Sequence, residues 1–302
     1  LLVAGVGRGT FVKEKTATPI RHNVPIQFSL RYPRLSDLGS LDLIREAMNT
    51  VQSSPNFDRV MLNIGVSYDK ALERAFLDSL EAEIQLGSVD VQGTEITAGA
   101  QHGVSVALQT ILRTSAASVA VDDLAYGGFS DVAEVNRCSI NSVAWDEEGP
   151  LPWSLEHLHQ LHGVSVYMTT SEVNNPTLVK VSNRRRVEIA DVAKRCGIQI
   201  IEDDCYRFAN ATGPSYRVLA PENAWFVTSL SKVFSTSLRL GFVIAPTQFR
   251  SQMRRVLSSS LMRVSDYLYC VGLEILKSPK FKSIKQQSMA DIDLYIGETI
   301  NR

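Results

Sequence analysis

Between residues 95 and 245 the chain alternates short β-favouring apolar runs with helical stretches, and this alternation restricts the fold more than any other feature. The pattern predicts strands over 95–97, 118–121, 164–168 and 198–201, and helices over 101–112, 129–135 and 182–196. Two more apolar runs, 224–227 and 240–245, flank a polar stretch. Strands that alternate with helices build βαβ units, so the expected fold is α/β: a mostly parallel sheet covered by helices on both faces. Upstream, the spacing predicts a helix over 41–51 and another over 68–86, the latter with Ala71, Leu72, Ala75, Phe76 and Leu80 on one face.

A chain of 302 residues, 44% hydrophobic and 21% charged, has room for one large core and a smaller appendage. Its net charge of −1 gives no global basic surface for nucleic acid. Cys138, Cys196, Cys205 and Cys270 are scattered without a close pair, which argues against a zinc cluster or a disulfide framework and points to a reducing cytoplasm. No apolar run approaches the ~18 residues of a membrane span, and no signal-peptide core opens the chain. It begins at Leu1 rather than methionine, as a fragment of a longer protein would.

Sheets of this kind bind ligands beyond the carboxyl ends of their strands, so the residues that follow each strand carry the functional reading. After 95–97 come Ala98, Gly99, Ala100 and Gln101, where small residues let helix-terminal N–H groups approach an anion; a tight strand-to-helix turn explains them equally well. After 118–121, Tyr126 stands where a ring could stack on a flat heterocycle, or where it could pack in the core. After 164–168 come Asn174, Asn175, Pro176 and Thr177, a turn with a usable amide. After 198–201 come Glu202, Asp203 and Asp204, then Cys205 and Tyr206; three acids at a buried strand end are hard to explain by packing. In 229–241, Lys232 lies between Ser231 and a short apolar pair, with Ser229 before it and Arg239 seven residues on. An amine beside hydroxyls and a guanidinium suits a cofactor that carries both an aldehyde and a phosphate.

Taken together, these residues resemble the fold-type I aminotransferases, which use pyridoxal 5′-phosphate, from about Phe28 to the C-terminus. The resemblance implies that Lys232 holds the cofactor as a Schiff base and Asp203 pairs with the pyridine nitrogen. It implies that Asn175 and Tyr206 bond the ring oxygen and that Tyr126 stacks on the ring. Ala100, Gln101, Ser229 and Arg239 would hold the phosphate, with Ser231 a further candidate. Where relatives carry proline this chain has Leu124 and Thr236, and where they carry glycine it has Leu178. The resemblance also implies that most of the small C-terminal domain, with the arginine that binds a substrate carboxylate, lies beyond Arg302.

Residues 1–12 read as a glycine-rich hairpin, Gly7 to Val12 resembling the wing of the winged helix-turn-helix domain of GntR-type regulators, although an N-terminal strand of the main domain also fits. Residues 13–27 read as a linker, and 28–302 as the aminotransferase-like domain. This combination resembles the MocR subgroup of GntR regulators. It implies a homodimer that binds operator DNA and senses an amine or amino-acid effector through an external aldimine. A plain aminotransferase and a remnant that folds without cofactor remain the alternatives. His157, His159 and His162 do not share a helical face as ligands would, and the run from Arg184 to Arg186 reads as a solvated helix start capped by Ser182.

Overall fold

The computed structural model describes residues 2–5, 9–12, 38–62, 69–80, 85–112, 117–207 and 211–300, the last helical turns in backbone only. The chain divides into two units, Leu1–Arg31 and Tyr32–Arg302. In the first, β1 (Leu2–Gly5) and β2 (Gly9–Val12) pair antiparallel, with Leu2 opposite Val12 and Gly5 opposite Gly9, as the hairpin reading expects. The expected linker, 13–27, lies outside the described residues.

The second unit opens with α1 (Ser40–Gln52), α2 (Phe57–Met61) and α3 (Ala71–Ser79). It continues with β3 (Thr94–Thr97), α4 (Ala100–Ile111), β4 (Ser118–Asp122), α5 (Gly127–Val135) and β5 (Ser139–Val143). A small ribbon, β6 (Trp145–Asp146) with β7 (Gly149–Pro150), precedes α6 (Pro152–His162), β8 (Val164–Thr169), α7 (Asn183–Cys196) and β9 (Gln199–Asp203). Then come α8 (Tyr216–Leu219), β10 (Ala224–Ser229), β11 (Gly241–Ile244), α9 (Arg250–Leu261), α10 (Asp266–Lys277) and α11 (Pro279–Ile300).

Seven strands form one sheet in the order β3-β11-β10-β9-β8-β4-β5. Only β11 runs against the others, so β3, β4, β8, β9 and β10 end on the same edge. The central strands are apolar on both faces because both are covered. Along β4, Val119 and Val121 pack with Val104, Leu108, Phe129 and Met253 from α4, α5 and α9. Ala120, between them, packs with Leu155, Ile189 and Ala193 from α6 and α7. A third cluster joins α1, α3, α10 and α11 to the far end of the sheet, where Phe76 stacks on Phe242 with ring centroids 3.6 Å apart.

Two expectations change. Of the helix predicted over 68–86, the described residues form Ala71–Ser79, with Lys70 left-handed at its start and Leu80 extended at its end. The arginine run is not a solvated face. Ser182 does cap α7, its hydroxyl accepting from the Arg185 N–H at 3.2 Å, but Arg185 and Arg186 are buried while Arg184 stays outside. Arg185 meets Asp146 at 2.9 Å and Arg186 meets Glu172 at 2.9 Å, and acids this distant in sequence leave no local signal.

Candidate functional site

The residues singled out in sequence gather at the carboxyl edge of the sheet. β9 delivers Asp203 and, one turn on, Cys205; the neighbouring β10 delivers Ser229. The Cys205 thiol donates to Asp203 Oδ1 at 3.3 Å and lies 3.4 Å from Ser229 Oγ, which accepts from the Ser231 N–H at 3.4 Å. Lys232 follows on the same turn, half-buried, close enough for its charge to act on both Asp203 and Cys205. The turn is fixed: the Leu230 N–H bonds the Leu240 carbonyl at 3.1 Å, the Phe234 N–H bonds the Leu230 carbonyl at 2.8 Å, and Leu230, Val233 and Phe234 are buried in the third cluster.

β3 leads into the second part of the site. Gly99 has φ +88°, a conformation open to glycine, and a Cβ there would come within 2.8 Å of Arg239 Nη2. Arg239 donates to the Ala98 carbonyl at 3.0 Å, so its guanidinium lies beside the start of α4. A Cβ on Gly241 would come within 2.5 Å of the Gly99 backbone, so β11 reaches this turn only because that residue is glycine. Ala100 and Gln101 open α4, whose first N–H groups have no partner within the helix. The Tyr126 hydroxyl donates to Gln101 Oε1 at 3.3 Å, joining the loop after β4 to the same helix start.

Burial pushes the Asp203 carboxyl up to about 7, offset in part by the Cys205 bond and by Lys232. Among the described residues, the Cys205 thiol is the one donor to that carboxylate. Burial, and then the charge of Asp203, push the Cys205 thiol well up, which makes it a neutral packing group and not a nucleophile. Burial, followed by Asp203, also raises the Tyr126 phenol.

Asn175 and Tyr206 are placed less directly. Asn175 is exposed beside a cis peptide to Pro176, whereas its neighbour Asn174 is buried. Asn174 donates to Asp122 Oδ2 at 3.4 Å and accepts from Thr177 Oγ1 at 2.8 Å. Tyr206 is half-buried, its N–H bonded to Asp204 at 3.3 Å. Leu178, where relatives carry glycine, has φ +63°.

Two features escaped the sequence reading. Asp122, at the end of β4, accepts from Tyr167, from Thr169 at 2.9 Å and from Trp145 at 3.0 Å, although burial raises it to about 7. Glu202 and Asp204 belong to a buried ionic network: Arg207 reaches Glu202 at 3.3 Å, Asp204 at 3.2 Å and Glu172 at 3.1 Å. A groove of about 540 Å³ between α3, α10 and the start of α11, lined by Arg74, Asp78 and Lys277, contains none of the candidate residues.

This fold and this gathering of lysine, carboxylate and a glycine turn beside Arg239 define a class. Residues 38–292 match the aminotransferase class I and II family, and the chain belongs to it. The family is dependent on pyridoxal phosphate, which is therefore the cofactor. The chain is 28% identical over 204 residues to an aspartate aminotransferase of Pyrococcus horikoshii, covering 66% of this chain and 52% of that one. It is 24% identical over 289 residues to YdeF of Bacillus subtilis, an uncharacterized HTH-type transcriptional regulator, covering 93% of this chain and 61% of that one. HTH-type regulator TauR of Rhodobacter capsulatus is 29% identical over 170 residues, 55% of this chain and 34% of TauR. Among solved structures, an archaeal alanine:glyoxylate aminotransferase superposes with a TM-score of 0.75 at 18% identity, over 86% of this chain and 65% of that one. The chain thus spans about half the length of the curated relatives it matches.

Proposed function

We propose that this chain is the cofactor-binding, effector-sensing part of a bacterial transcriptional regulator of the MocR type. One observation carries the reading: the regulator YdeF matches over 93% of the chain, where the aspartate aminotransferase matches over 66%. The β1–β2 hairpin supports it, since a two-stranded ribbon apart from the main sheet is what the wing of a DNA-binding domain requires.

The donor set fits pyridoxal phosphate. Its aldehyde forms a Schiff base with an amine and its protonated ring withdraws electrons from whatever that Schiff base carries. Lys232 supplies the amine. Asp203 is a buried carboxylate that, among the described residues, accepts from one thiol, and it would take a pyridinium N–H. The helix-start amides of Ala100 and Gln101, the hydroxyls of Ser229 and Ser231, and Arg239 beside Gly99 form the phosphate cradle. Tyr126, Asn175 and Tyr206 would hold the ring. An amine or amino acid that displaces Lys232 acts as the signal, and it alters operator affinity only through different affinities for two arrangements of a homodimer.

The test is operator-DNA titration with the full-length regulator and a panel of amines that perturb the cofactor's absorbance. A change in operator affinity with at least one of them is expected; no change with any would refute the regulatory reading. The second reading, an aminotransferase, is favoured by the Pyrococcus horikoshii relative, and catalytic turnover of an amino acid with a keto acid distinguishes it.

A further inference from the structure

The opposite edge of the sheet holds an electrostatic anomaly. Arg217, in α8 just before β10, is 8% exposed. Its Nη2 donates to the Ser88 carbonyl at 3.3 Å, but its Nε is buried with no acceptor, and no carboxylate among the described residues forms an ion pair with it. A buried guanidinium without a counter-ion is costly. A second guanidinium acts against the same charge. Arg250, the first residue of α9, reaches the same 88–93 segment from the other side: its Nη1 meets Asp90 Oδ2 at 2.8 Å and its side chain lies over Gly93, where a Cβ would come within 2.7 Å of Nε. The Arg250 Nε is also buried without an acceptor.

The surroundings neutralise this pair only in part. Asp90 faces Arg250 and is half in solvent, and Glu95 is shared between Arg254 at 2.7 Å and Lys70 at 2.8 Å. The first turn of α9 contains no acid and its N-cap provides no side-chain bond, so the positive end of a twelve-residue helix adds to the field. Burial and then Arg250 act against the Arg217 charge and lower its pKa, and the buried Glu202 carboxylate offsets them only in part. Two guanidiniums with unused Nε–H donors meet the same 88–93 segment, and among the described residues no carboxylate forms an ion pair with Arg217.

We propose that Arg217 and Arg250 form a second anion site, at the amino edge of the sheet, that takes a phosphate-type oxyanion, free or as the phosphate of a small metabolite. Paired guanidinium forks match the several oxygens of a tetrahedral oxyanion better than a single halide. β10 separates this site from Lys232 by its length, roughly 20 Å at about 3.3 Å per residue, so the two sites bind independently.

The probe is inorganic phosphate, followed by calorimetry and thermal unfolding in buffers matched in ionic strength with chloride. Arg239→Gln serves as background to weaken the cofactor's own phosphate cradle. Phosphate is expected to bind this variant and raise its Tm. Adding Arg217→Met should weaken phosphate binding at least tenfold, and in chloride alone leave Tm equal or higher, because an apolar side chain of similar length replaces an unpaired buried charge. Arg250→Gln, at a more exposed position, should weaken binding at least threefold and covers the case in which Arg217→Met does not fold. Phosphate binding that neither substitution alters, or no response beyond that of chloride, would overturn the site. Acetate binding as tight as phosphate would overturn the ligand class.

Discussion

Asp203 and Asp204 are adjacent in sequence but serve different structures: the Asp203 carboxylate takes a 3.3 Å bond from the Cys205 thiol beside Ser229, while Asp204 is tied to Arg207 at 3.2 Å. The pleat of β9 sets this division. One acid is left for the role proposed for it at the cofactor, and the other is fixed in the scaffold.

The difference is visible in pH dependence. Burial raises Asp203 from 3.8 to about 7, so the folded, cofactor-free protein binds its proton more tightly than the unfolded chain does. The stability this group provides is complete below its unfolded pKa and is lost as pH rises through about 7. Asp203→Asn should therefore be more stable than the parent at pH 8, by roughly 2–4 kcal/mol, and no more stable near pH 4. Urea unfolding at the two pH values checks this. The same variant should lose cofactor affinity.

Arg207→Ala should act in the opposite sense. It strands Glu202 and Asp204 without their shared cation, while Glu172 keeps Arg186, at a cost of about 3–5 kcal/mol. Arg184→Ala, which removes only exposed pairs with Glu148 and Glu188, should leave stability essentially unchanged. Chemical denaturation of the two variants side by side separates the buried network from the solvated end of the arginine run.

Leu178 holds a left-handed conformation, φ +63°, with its N–H bonded to the Asn174 carbonyl at 2.8 Å. A branched side chain there costs about 1–2 kcal/mol. Leu178→Gly should raise stability by about 0.5–1 kcal/mol after the loss of partial side-chain burial, measured as an increase in the urea midpoint at constant slope.

Arg239 is exposed and contributes little to packing, so its removal tests binding alone. Arg239→Gln should weaken pyridoxal phosphate roughly 10- to 100-fold, the value of one charge-assisted bond, and leave the unfolding midpoint of the cofactor-free protein unchanged. Fluorescence titration with the cofactor reads the first effect.

Much of this was legible in the sequence because buried parallel strands announce themselves. β4, β8, β9 and β10 each carry a short buried apolar stretch, and the turn after each holds the candidate ligand groups. β5 was not predicted, since Ser139, Asn141 and Ser142 place polar groups on an edge strand that has little to bury. The ionic scaffold was hidden for another reason. Arg186 finds Glu172, and Arg185 finds Asp146, only after β8, α7 and the β6–β7 ribbon have packed together. Three arginines in a row give no sign of which two will turn inward. The position of Leu178 shows the converse: the departure from glycine was plain in the sequence, but its consequence required the backbone angle.

The central claim is that Lys232 holds the cofactor. Its most direct test is the visible absorption spectrum after incubation with pyridoxal phosphate and desalting, for the parent and Lys232→Ala in parallel. The account predicts a retained band in the parent that borohydride abolishes, with the cofactor then fixed to the protein, and no such band in Lys232→Ala. An equal, borohydride-sensitive band in both proteins, or none in either, would contradict it.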